Sequence, residues 1–203
     1  MSETRETAAP APPAKCAACD EPLASRLFCD NCRCLYPADG LNHFELLGLT
    51  PTFDLDPAEL RQKYFATARG VHPDHHSERG EQAVSVHLSA QLNEAQRVLA
   101  DPVLRAEYLL ELAGGSTAVA DKRVLDGVLV DTLTLREELE ETKAAGDPGA
   151  RAACQANVAR RHGLVLEQVA ALARQLPGDE ALRTRLRATL NSIKYYQKLL
   201  AEL

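Results

Sequence analysis

The stretch Asp56–Asp74, DPAELRQKYFATARGVHPD, decides the fold. Asp56 is a residue type whose side chain accepts from the first free N–H groups of a helix. Pro57 suits the first helical position, where an N–H has no partner anyway. The spacing predicts a helix carrying Arg61, Lys63 and Arg69 that ends in a His-Pro-Asp turn. Upstream, NHFELLGL from Asn42 reads as a short helix closed by Gly48 and the Pro51 turn. Downstream, a third helix runs from about Glu81 to Leu99 and stops at Ala-Asp-Pro, and a fourth, PVLRAEYLLELAG, ends at Gly114.

Composition agrees with helices throughout. Aromatics make up 4% of the 203 residues, Trp is absent, and Ala, Leu, Glu and Arg dominate, which favours helix over sheet. Residues 1–14, rich in Ala, Pro and charge, read as a disordered tail. Residues 15–38 form a cysteine module, 42–114 the helical region around Asp56–Asp74, 115–121 a linker, and 122–203 a three-helix bundle. Its helices are expected at 122–145, 148–174 and 178–202, separated by GDPG and LPGD turns; short connections between long amphipathic helices imply antiparallel packing. The formal net charge of -6 argues against nucleic acid as a partner. No apolar run approaches a membrane span, and the opening residues lack both a signal core and a presequence bias. A cytoplasmic, bacterial setting is expected, or a mitochondrial one only if the chain is eukaryotic.

The wider stretch Ala68–Gly80, ARGVHPDHHSERG, holds His72, His75 and His76 around Asp74. A metal reading lacks further ligands to complete a shell, and Pro73 stiffens the chain between His72 and Asp74. Catalysis needs a nucleophile and an anion stabiliser as well, and no motif supplies either, so no catalytic residue is assigned and the chain is not read as an enzyme. A solvated polar loop and a contact loop for another protein remain. Arg61, Lys63 and Arg69 also read as an ordinary solvated helix face, or as steering charges toward an acidic partner surface.

Five of the six cysteines lie between Cys16 and Cys34. Cys16-x-x-Cys19 and Cys29-x-x-Cys32 are two knuckles that together complete a tetrahedral set of four thiolates, so the expected ion is structural and has no open position. Zinc is favoured over a rubredoxin-like iron, which would make the module a redox centre. Cys34 either replaces Cys32 as the fourth ligand or remains a free thiol.

In the bundle, Leu125, Val128, Leu135 and Leu139 fall on one side of the first helix at ~100° per residue and form its core stripe. Leu129, Val130 and Leu133 stand away from it, continued by Glu137 and Glu141. That is apolar surface beyond what three helices need. In the last helix, Leu182, Leu186, Ile193 and Leu200 share a face, and Tyr195 points about 200° from Ile193. Either patch also fits packing against neighbouring helices or the preceding domain.

NHFELLGLTPTFDLDPAELRQKYFATARGVHPD resembles a J-domain of the DnaJ type, and AQLNEAQRVLADPVLRAEYLLEL is similar to the HscB iron–sulfur co-chaperones more specifically. The resemblance covers Asn42 to the C-terminus. It implies an all-α fold in which a J-domain helical hairpin precedes a C-terminal three-helix bundle. It implies a co-chaperone whose His72, Pro73 and Asp74 dock on an HscA/DnaK-type chaperone ATPase and stimulate it; Arg61, Lys63 and Arg69 join this chaperone-binding surface as its steering charges. VLVDTLTLREELEE resembles the family's scaffold-binding helix. Leu129, Val130, Leu133, Glu137 and Glu141 thereby inherit contact with the iron–sulfur scaffold IscU, and Tyr195 in KYYQKLL matches an aromatic contact. Thr134 departs from the acid usual at its position. His75 and His76 lie outside the matched motif and receive no role. The cysteine module is similar to a metal-binding extension of animal members. The protein is expected to act as a monomer or weak dimer; the alternative is a general J-domain co-chaperone with a different client.

Overall fold

A computed structural model describes residues 15–76 and 81–202, so the tail read at 1–14 lies outside the described residues. Among the described residues the chain is all-helical apart from two isolated antiparallel bridges, Lys15 with Pro22 and Phe28 with Leu35. By packing it divides into two compact units, Met1–Pro51 with Leu55–Asp101 and Thr52–Asp54 with Pro102–Leu203.

The first unit holds α1 (His43–Leu46), α2 (Pro57–Gly70), a 3-10 turn (Pro73–His75) and α3 (Gln82–Ala100). Local chemistry starts the first two helices. The Asn42 side chain accepts from the Glu45 N–H at 3.0 Å while the Glu45 carboxylate accepts from the Asn42 N–H at 2.9 Å, a reciprocal capping box. Asp56 accepts from the Ala58 N–H at 3.0 Å, and Pro57 opens α2 as expected. α3 packs against α1 and α2 and buries Phe44, Leu47, Leu60, Leu88, Leu92, Ala95 and Leu99. Each large side chain removed from water contributes about 1.5–3 kcal/mol, enough to fix α2 and α3 as a hairpin.

The second unit holds α4 (Pro102–Leu112), α5 (Val128–Ala145), α6 (Pro148–Ala173) and α7 (Glu180–Ala201). α5, α6 and α7 form the three-helix bundle, and α4 lies against α6 and α7. Asp147 and Asp179 cap α6 and α7 as side-chain acceptors. Leu135, Leu139, Val158, Val169, Leu186, Leu190, Ile193 and Leu199 form the core.

The start of α5 corrects the expected boundary of 122. Residues 121–125 are not helical, because α7 takes up their backbone groups. Asn191 donates through Nδ2 to the carbonyls of Asp121 and Arg123, both at 2.8 Å, and the Ser192 hydroxyl accepts from the Leu125 N–H at 2.9 Å. Gly127, at φ +78, then turns the chain into α5 in a conformation other residues rarely adopt. Leu125 therefore lies before the helix and is half-buried, and the core stripe is Val128, Thr132, Leu135 and Leu139.

Two polar clusters pin the bundle. Asp131 on α5 accepts from Arg161 on α6 and from the Tyr196 hydroxyl on α7, the latter at 2.7 Å. Arg187 is 1% exposed and donates to Glu107 on α4 and to the Asn191 side chain, each at 3.1 Å, while Lys194 reaches the same Glu107 carboxylate.

Candidate functional site

The His-Pro-Asp turn is an exposed device on a buried clasp. His72 and Asp74 both stand in solvent, with side-chain exposures of 55% and 83%. The His72 Nδ1 accepts from the Asp74 N–H at 3.3 Å, Pro73 opens the 3-10 turn, and the His75 N–H donates back to the His72 carbonyl at 3.0 Å. The turn is thus preformed, and its imidazole and carboxylate face solvent.

What holds it lies beneath. His76 is fully buried, and its Nε2 sits 3.0 Å from the Gly70 carbonyl at the end of α2, while its Nδ1 lies 3.5 Å from a Glu81 carboxylate oxygen. The buried Ser85 hydroxyl on α3 donates to the Val71 carbonyl. Two side chains therefore satisfy carbonyls that the C-terminus of α2 leaves without helical partners. This corrects the reading that gave His76 no role. A histidine among Ser, Glu and Gly looks like a surface residue, and only its tertiary contacts reveal the clasp. His75 is exposed.

Arg61, Lys63 and Arg69 are exposed on α2. Arg61 lies over the Phe65 ring at 5.6 Å, and Phe65 itself is 49% exposed, an aromatic on this surface that sequence reasoning did not single out.

The cysteine module repeats one knuckle twice. In the first, the Asp20 N–H donates to the Cys16 carbonyl at 2.9 Å and Asp20 has φ +60; in the second, the Arg33 N–H donates to the Cys29 carbonyl at 2.9 Å and Arg33 has φ +60. The sulfurs of Cys16, Cys19, Cys29 and Cys32 all lie within 4.8 Å of one another. Cys16 to Cys32 is 3.5 Å and Cys19 to Cys29 is 3.6 Å, close to the ~3.8 Å edge of a tetrahedron with 2.3 Å metal–sulfur bonds. The donor set fits one soft divalent ion. The Cys34 sulfur lies 3.3 Å from that of Cys16, beside the tetrad, and 3.5 Å from the Tyr36 hydroxyl. Hydrogen bonding from Tyr36, helped by the Ala18 N–H, holds the Cys16 thiol down at about 5, whereas at Cys29 and Cys32 the backbone hydrogen bonds are outweighed by burial and neighbouring sulfurs, which push the thiols up to about 11.

On α5, the apolar residues set aside from the core are in solvent. Leu129, Val130 and Leu133 are 46%, 69% and 59% exposed, and Thr134, Glu137 and Glu141 are exposed beside them. On α7, Tyr195 is 42% exposed while Tyr196 is 4% exposed, so the outward-facing member of the pair is Tyr195.

Residues 42–108 match the DnaJ domain family model. A co-chaperone protein HscB homolog from Bordetella pertussis is 38% identical over 120 residues, which are 58% of this chain and 69% of that protein. The structure of the chaperone HscB from Vibrio cholerae matches at TM-score 0.68 and 31% identity, over 80% of this chain and 94% of that one. The chain belongs to the HscB co-chaperone family.

Other HscB relatives extend the comparison. The Shewanella halifaxensis HscB homolog is 39% identical over 115 residues, and the match spans 64% of that relative's length. The human co-chaperone HscB shares the fold, with a TM-score of 0.75 at 24% identity. The human match covers 93% of this chain against 80% for the Vibrio HscB, so it takes in at least part of the cysteine module. Among the described residues, no helix is long and apolar enough to cross a membrane.

Proposed function

We propose that this HscB-family chain is a bacterial cytoplasmic co-chaperone of iron–sulfur cluster biogenesis with no catalytic chemistry of its own. Its J-domain engages an HscA/DnaK-type ATPase through His72, Pro73 and Asp74, with Arg61, Lys63 and Arg69 steering the encounter. Its bundle presents the IscU scaffold through Leu129, Val130, Leu133, Glu137, Glu141 and Tyr195, so that ATP hydrolysis in the partner is coupled to cluster transfer. Holding client and ATPase on one chain raises the effective concentration of each for the other. Cys16, Cys19, Cys29 and Cys32 hold a zinc ion that shapes the module; iron in the same tetrad is the competing occupant.

The observation that carries this reading is the preformed turn, with His72 and Asp74 solvent-facing above a clasp made by His76 and Ser85. Side chains that face solvent on a rigid base suit a contact surface. An apolar, acid-bordered face on α5 with no core duty supports a second contact.

Substitution of His72 tests the first contact. His72→Gln abolishes stimulation of the ATPase while circular dichroism keeps the helical signal, because an exposed side chain contributes nothing to the core. Stimulation that survives removes the turn from the interface. For the second contact, IscU pull-down with Leu129→Ala, Leu133→Ala and Glu137→Ala loses the scaffold; unchanged capture replaces IscU with another client.

A further inference from the structure

A groove of about 910 Å³ runs between the cysteine module and the α1–α2 side of the J-domain, entirely within the first compact unit. Its floor is apolar. The Phe28 ring lies so close to α2 that a Cβ added at Gly70 would come within 2.2 Å of it, and Leu46, Leu47 and Leu49 line the wall from α1 and its following turn. The absence of a side chain at Gly70 is what lets the module dock against the last turn of α2.

The rim is cationic. Arg33 comes from the second cysteine knuckle and Lys63 and Arg69 from α2; all three are exposed and make no ion pair among the described residues. Of the two acids that line the groove, Glu45 is occupied: one carboxylate oxygen accepts from Arg26 at 3.3 Å and the other from the Asn42 N–H. Asp30 is the other. Positive charge is thus concentrated over an apolar floor in a chain of net charge -6. His75, next in the chain after Asp74, lines the same groove, so the groove opens beside the His-Pro-Asp turn.

We propose that this groove receives an acidic, apolar-bearing extended segment of the DnaK-type ATPase, making the cysteine module a second docking element for the same partner. The proposal rests on the co-chaperone reading above. A small anion would use only the rim; a peptide with alternating acidic and apolar side chains uses both rim and floor. The ATPase is the occupant because contact at the turn already brings its surface to the mouth of the groove, where a tethered segment has a high effective concentration. Arg33 is the diagnostic residue, because it belongs to the module and lies outside the residues that match the DnaJ family model.

The test measures ATP turnover of a purified DnaK-type ATPase against increasing full-length, zinc-loaded protein at low salt. Arg33→Glu raises the half-saturating concentration about five- to tenfold with the maximum stimulation retained, and the difference closes at high salt, where exposed charges are screened. Arg33→Gln gives a smaller shift in the same direction and guards against damage to the knuckle, which zinc content checks. Arg160→Glu makes the same charge change on α6 and shifts nothing. An unchanged half-saturating concentration in both Arg33 variants overturns the groove while loss of stimulation in His72→Gln leaves the co-chaperone reading standing. An equal shift in Arg160→Glu overturns it in favour of bulk charge. Failure of the unaltered protein to stimulate removes both readings.

Discussion

The Tyr196 hydroxyl donates a 2.7 Å hydrogen bond to the Asp131 carboxylate, joining α7 to α5 at a point where Arg161 adds α6. This bond sets the register of α7: Tyr196 turns inward and Tyr195, one residue earlier, is left in solvent.

Under the proposed scaffold contact, the two tyrosines separate stability from binding. Tyr196→Phe costs about 1 kcal/mol in urea unfolding and leaves IscU affinity unchanged. Tyr195→Ala alters stability by less than about 0.5 kcal/mol and weakens IscU binding about tenfold. Burial, then the Asp131 carboxylate, pushes the Tyr196 hydroxyl from 10.0 up to about 12. A raised pKa means that the folded state favours the protonated phenol. The associated stability is complete below about 10 and is lost as pH rises through 12, and Tyr196→Phe removes this alkaline loss. Equilibrium unfolding across that range measures it.

His76→Ala removes a buried imidazole and leaves the Gly70 carbonyl without its partner. The expected loss is about 2–3 kcal/mol, with reduced maximal ATPase stimulation because the turn loses its base. His72→Gln, by contrast, leaves thermal stability unchanged. Identical stimulation by His76→Ala and the unaltered protein would detach the clasp from function.

Metal analysis of the purified protein is expected to find one zinc per chain, as the proposed tetrad requires. Cys32→Ser releases it and Cys34→Ser retains it, because the tetrad closes without Cys34; the reverse pattern makes Cys34 the fourth ligand. Protons compete with metal for thiolate, so zinc is lost as pH falls and retained as it rises.

Breaking the Arg187–Glu107 pair strands a buried guanidinium. Glu107→Leu costs about 3 kcal/mol, whereas the double change Arg187→Met with Glu107→Leu recovers most of that loss. A denaturant double-mutant cycle gives the coupling.

The helices were legible where local chemistry decides them. Asp56 with Pro57 and Asp147 with Pro148 mark helix starts through their own side chains and backbone, and the separation of Val128, Leu135 and Leu139 from Leu129, Val130 and Leu133 follows from periodicity alone. What stayed hidden depends on distant partners. The start of α5 is set by Asn191 and Ser192, far along the chain, and the burial of His76 by α2 and α3 closing around it. Arg187 reads as a solvent residue until Glu107 and Asn191 receive it. Gly70 gave no hint that Phe28 packs upon it, so the groove beside the His-Pro-Asp turn was invisible in the residues that line it.

The most direct test of the central claim is the ATP turnover of an HscA-type ATPase with this protein and IscU added separately and together. The expected result is modest stimulation by this protein alone and a synergistic rise when IscU is present, lost in both His72→Gln and Leu133→Ala. Merely additive rates, or synergy that persists in either variant, would contradict a chain that holds ATPase and scaffold at once.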